Sequence, residues 1–98
     1  MTDVERLEKA IFDLHGCKSK HQGYLHVHET FEGQTVWDGD VEIFALEKHP
    51  RATKAYAWSY KDDAGKEHYV AILGVHPVDN PRAAVQAYIV AQAEKKAE

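Results

Sequence analysis

The sequence predicts an α+β domain in the order α-β-β-β-β-α: an antiparallel four-stranded sheet with two helices packed on one face, or that sheet curled into a half-barrel. Three observations predict it. Apolar residues recur at helical spacing near both ends of the chain, strict two-residue alternation runs from Tyr24 to Leu46, and two further β-rich runs flank a polar turn.

The first helix opens at Thr2, with Glu5 three residues on as the partner of a capping box. Val4, Leu7, Ile11 and Leu14 then line one side until Gly16 ends the run. Strands follow from Tyr24 to Phe31 and from Thr35 to Leu46, joined by the loop Glu32-Gly33-Gln34. If Phe31 pairs with Thr35, His28 faces Asp38, His26 faces Asp40 and Tyr24 faces Glu42. On the other face Leu25 meets Val41 and Glu29 meets Trp37. A slip of one residue would drive Asp38 and Asp40 into the apolar face, so this register is strongly specified. The second hairpin joins Thr53–Tyr60 to Glu67–Val75 through Lys61-Asp62-Asp63-Ala64-Gly65-Lys66, in which Asp62 and Asp63 are turn formers. The last helix has Asn80 as its cap and Pro81 at its first position, and it runs to about Lys95. The tail from about residue 94 is expected to fray.

With 98 residues, 44% hydrophobic and 29% charged, residues 1–98 make one domain. The net charge of −4, from 16 acids against 12 bases, does not suit duplex nucleic acid. Cys17 is the only cysteine, so no intramolecular disulfide forms. The opening Met1-Thr2-Asp3-Val4-Glu5 has neither the basic nor the apolar run of a secretion signal, and no stretch reaches the roughly 20 apolar residues of a spanning helix. A cytoplasmic location and no membrane partner are expected.

In the second hairpin neither face is polar. Tyr56, Trp58 and Tyr60 point one way beside Val70 and Ile72, and Ala55, Ala57, Ala71, Leu73 and Val75 point the other. Close approach suits small residues, so the two helices are expected on the alanine side. That leaves the aromatic side to be covered by curling, by a second subunit or by a ligand.

Other candidate sites are weaker. His26, His28, Asp38 and Asp40 share a face, with the two imidazoles about 7 Å apart along one strand. That set could hold a zinc- or nickel-type ion. The simpler reading is a solvated face of cross-strand ion pairs, in which neighbouring carboxylates raise the pKa of both histidines. Cys17 lies near His15 and His21, but the negative end of the preceding helix opposes a thiolate, and a packed cysteine is the simpler assignment. Tyr56, Trp58 and Tyr60 beside Lys54 and Lys61 could stack single-stranded bases, yet the chain is acidic and lacks the accompanying signatures. No twelve-residue calcium loop surrounds Asp62 and Asp63, and no cofactor motif is present.

Asp13-Leu14-His15-Gly16-Cys17, the run Glu29 to Gly39 and the run His49 to Trp58 resemble a group of short bacterial proteins of similar length with no assigned function. The similarity extends over most of the chain. It implies a bacterial cytoplasmic α+β domain and carries over no site residues.

The expected function is a small binding or assembly module that uses the face of Tyr56, Trp58, Tyr60, Val70 and Ile72, as a homodimer or around a small-molecule or protein ligand. The alternative is a metal-binding or metal-sensing protein using His26 and His28 with Asp38 and Asp40. An enzyme that works only once two chains build a shared cleft is a third reading.

Overall fold

The computed structural model describes residues 2–96. Helix α1 spans Asp3–His15, and its cap is the predicted one: Thr2 Oγ1 accepts from Glu5 N at 3.2 Å while the Glu5 carboxylate accepts from Thr2 N. Gly16, at φ 69°, closes the helix by donating its N–H to Phe12 O at 2.8 Å. Strands β1 (Ser19–Phe31), β2 (Gln34–Leu46), β3 (Lys54–Lys61) and β4 (Glu67–Leu73) follow, then α2 (Pro81–Lys96). They form one open antiparallel meander in the order β1-β2-β3-β4. Asn80 Oδ1 accepts from Ala83 N at 2.8 Å, the predicted cap of α2. That helix is bounded at Lys96, and 97–98, the end of the tail expected to fray, lie outside the described residues.

The predicted hairpin register holds from Tyr24↔Glu42 through Leu25↔Val41, His26↔Asp40 and His28↔Asp38 to Glu29↔Trp37. Its two ends differ. Glu32 (φ 52°) and Gly33 (φ 81°) both take the left-handed conformation, so the turn has two residues rather than three and Phe31 pairs with Gln34. The register shift between Glu29 and Thr30, with Val36 as the extra residue on β2, restores the predicted pairing. A second shift between His21 and Gly23 lets β1 begin at Ser19, five positions before the alternation becomes legible at Tyr24.

The main correction concerns the helices, which lie on opposite faces of the sheet. Leu7 and Ile11 of α1 pack on Ala55, Ala57, Ala71 and Phe44, while Ala84 and Val85 of α2 pack on Tyr56, Trp58, Val27 and Val41. The alternation itself was predicted correctly: Ala55 pairs with Leu73 and Ala57 with Ala71 on one face, Tyr56 with Ile72 and Trp58 with Val70 on the other. Side-chain volume decides which helix goes where. A dense interior needs large groups opposite small ones. The long side chains of α1 fill the space above the alanines, and α2 covers the indole and phenol rings with Ala84 and Val85 while its Tyr88 stands edge-on to Trp58. The result is a three-layer α/β/α arrangement with an open sheet.

Candidate functional site

The aromatic face is interior. Tyr56 is 4% exposed and Trp58 3%, and Val70 and Ile72 are half-buried against the same cluster. Only Tyr60 reaches solvent, stacked on His68 with ring centroids 5.1 Å apart. The surface expected to bind a partner is therefore already occupied by α2. Trp58 stands edge-on to Trp37 and to Tyr88, each with centroids 5.3 Å apart. Among the described residues its Nε1 finds no hydrogen-bond acceptor. An unmet donor costs on the order of 1–3 kcal/mol, which the two aromatic pairs, at about 0.5–1.5 kcal/mol each, largely offset. Burial, together with a hydrogen bond to Tyr60, pushes the Tyr88 hydroxyl up to about 12.

His26, His28, Asp38 and Asp40 meet as the register requires, but as a hydrogen-bonded network. His26 places Nδ1 2.8 Å from Asp40 Oδ1 and Nε2 2.7 Å from Asp38 Oδ1, and His28 Nδ1 lies 2.9 Å from Asp38 Oδ2. Both ring nitrogens of His26 face carboxylate oxygens, so the imidazolium, with two N–H donors, satisfies the site and neither lone pair is free for a cation. The Asp40 hydrogen bond, with both carboxylate charges, raises the His26 pKa above 6.5. The His28 hydrogen bond holds Asp38 below its ordinary 3.8. Among the described residues no group of three or more His, Cys, Asp or Glu side chains is arranged to hold a metal ion.

The other singled-out residues are dispersed. Cys17 is buried among Leu7, Ile11 and Phe44. Its two neighbouring histidines are engaged elsewhere, His15 Nε2 with Ala71 O at 3.0 Å and His21 Nε2 with Glu42 Oε1 at 2.8 Å. Asp62 works as the turn former, accepting from Ala64 N and Lys66 N through Oδ1 and meeting His68 Nε2 through Oδ2. Those bonds, led by the one from His68, lower its pKa.

Beyond Tyr60, apolar side chains reach solvent in three places: Phe12 and Leu14 on α1, Tyr24 and Leu25 on β1, and the outer side of α2 with the hairpin tip beside it. From Ala83 to Ala93 the helix carries no charged residue. Val90 is 55% exposed, Phe31 67% and Val36 47%. Gln86 and Val90 form a ridge with a groove on either side. One groove, of about 410 Å³, runs between α2 and the hairpin and is lined by Phe31, Val36, Ile89 and Ala93. The other, of about 460 Å³, is lined by Pro77, Val78, Ala83, Ala87 and Ala91. Glu29, 7% exposed, sits at the edge of the first groove and takes a 2.9 Å bond from Arg82 Nε, which pins the first turn of α2 to β1.

No protein family, curated protein or solved structure matches this chain.

The α2 surface escaped the sequence reading although a signal was present. A solvent-facing helix ordinarily carries charge on its outer side, and an uncharged run from Ala83 to Ala93 in a chain that is 29% charged marks a helix whose outer side lacks it.

Proposed function

We propose that the protein is a small non-enzymatic assembly module that associates with a second copy of itself through the outer surface of α2. One observation carries the proposal: Val90 of α2 and Phe31 and Val36 of the adjoining hairpin tip are exposed around two apolar grooves, on a helix that carries no charged residue from Ala83 to Ala93. A chain of this length buries only about two-thirds of its unfolded surface, so covering a further apolar patch contributes materially to its stability. Charge favours self-association there. With 16 acids against 12 bases, two copies carry a net charge of like sign, which a charged contact surface would bring closer together. The uncharged side of α2 brings no like charges together.

Cytoplasmic residence belongs to the same proposal. The single cysteine is buried, so an oxidising compartment offers this fold nothing, and no helix among the described residues is long and apolar enough to cross a membrane.

The test is sedimentation velocity of wild type and Val90→Glu over a wide concentration range. Wild type is expected to shift from monomer to dimer with rising concentration and the variant to stay monomeric, with unchanged circular dichroism. A variant that dimerises as well as wild type, or a wild type that remains monomeric throughout, would overturn the proposal.

A further inference from the structure

Independently of self-association, we propose that the groove between α2 and the β1–β2 hairpin binds a small amine with an apolar body, its ammonium group held by the Glu29 carboxylate. Glu29 stands on β1 where the alternation calls for an apolar side chain: it pairs with Trp37 on the face that packs against α2, and it is 7% exposed. Glutamate is almost never buried this far without a partner. Arg82 is that partner, yet it engages only one of the two oxygens. Its Nε donates to Oε1 at 2.9 Å, its side chain is otherwise 67% exposed, and among the described residues Oε2 accepts no hydrogen bond. An ionised carboxylate has room for about four donors, so Glu29 keeps unused capacity. Because Glu29 lines the groove, that oxygen is the acceptor available to an occupant.

Charge selects the head of the occupant. An ammonium on a carboxylate oxygen makes a charge-assisted hydrogen bond, roughly twice as strong as a neutral one. An acid in the same place would meet Glu29 at close range with like charge, and Arg82 lies outside the lining that could offset it. The guanidinium of Arg82 is mostly in solvent, where its repulsion of an ammonium is screened, and the chain as a whole carries a net charge of −4. Shape selects the body. Apart from Glu29, Thr30 and Gln86 the walls are apolar, and the volume of about 410 Å³ falls in the range of small-molecule sites. The groove on the other side of α2 is of similar size but has no charged residue in its lining, which makes it the internal control.

Three probes with one aromatic body and different heads test this: phenethylamine, phenethyl alcohol and hydrocinnamate, titrated at neutral pH and followed by ligand-observed NMR. The protein is kept dilute, so that binding is read on single copies and sedimentation reports self-association separately. Phenethylamine is expected to bind about tenfold tighter than the alcohol, and hydrocinnamate more weakly than either. Glu29→Gln keeps an oxygen for Arg82 and should bring the amine down to the affinity of the alcohol, while unchanged alcohol binding shows that the groove still forms. Ala93→Phe, which fills this groove, should abolish binding of all three probes, and Ala87→Phe in the other groove should leave it unchanged. The comparison of heads on the wild type, together with Ala93→Phe, decides the matter even if Glu29→Gln fails to fold. An amine that binds no tighter than the alcohol, a preference that survives Glu29→Gln, binding lost in Ala87→Phe but kept in Ala93→Phe, or no binding of any probe at millimolar concentration would each overturn the inference and leave self-association through α2 to its own test.

Discussion

Trp58→Ala probes the placement of α2 over the aromatic face more directly than any other single substitution. The indole is 3% exposed and lies between Trp37 and Tyr88, with Val85 and Ala84 of α2 in the same cluster. Truncating a buried tryptophan costs about 3–5 kcal/mol through lost transfer energy and the cavity left behind. Here the lost Nε1–H had no acceptor, so its removal returns part of an unmet-donor cost and the expected loss sits near the lower end, about 3 kcal/mol. For a domain of this size that corresponds to a melting point lower by roughly 12–24 °C. Urea unfolding followed by far-ultraviolet circular dichroism, at one fixed dilute protein concentration, measures it. Tyr60→Ala, at an aromatic on the same face that is 42% exposed, is the control and should cost less than about 1 kcal/mol. A Trp58→Ala loss as small as that of the control would mean that α2 does not seal this face, and the three-layer arrangement would be wrong.

Three other outcomes follow from the geometry. His26 should titrate above 6.5 in an NMR titration; the pairing stabilises the fold fully below the unfolded value and is lost as pH rises through the folded one, while the lowered Asp38 sets the acid limit below 3.8. Asp40→Asn should bring His26 back toward its ordinary value, and an unchanged titration would show that Asp40 is not its main partner. Tyr88 should ionise at about 12, so its contribution is intact below the unfolded pKa of 10.0 and disappears as pH climbs through the folded one; tyrosinate absorbance in which all five tyrosines titrate together near 10.0 would contradict its burial. Gly74→Ala would place a Cβ 3.1 Å from Lys54 O, a carbonyl already fixed by the Gly74 N–H, and should cost about 1–3 kcal/mol in the same urea assay, whereas a neutral result would show that the start of β3 yields freely.

What was legible in the sequence was local. Asp38 and Asp40 alternate with Trp37 and Val41, which leaves one tolerable register for the first hairpin, and Thr2, Glu5, Gly16, Asn80 and Pro81 announce the helix ends by their own hydrogen-bonding and backbone preferences. The early part of β1 was hidden because the irregularity between His21 and Gly23 reverses the phase of the alternation. Strand periodicity separates two faces but does not say which helix covers which. Volume did carry that information: Leu7 and Ile11 match a floor of alanines, and Ala84 and Val85 match Tyr56 and Trp58. Assigning both helices to the alanine side put small against small, and that error made the aromatic stripe look exposed. The meeting of His26 with Asp40 and His28 with Asp38 was foreseen, since cross-strand neighbours follow from register alone. The grooves beside α2 were not, because one exists only once α2 lies against the β1–β2 hairpin and the other only once Pro77 and Val78 fold back beside the helix.

With each face of the sheet carrying its own helix, the proposal rests on the uncharged outer side of α2 and the grooves beside it. Sedimentation equilibrium of the wild-type chain at increasing concentration measures that directly. The mass is expected to rise from that of one 11.1 kDa chain to twice that value with a dissociation constant in the micromolar range. A mass that stays at one chain up to millimolar concentration would contradict the account.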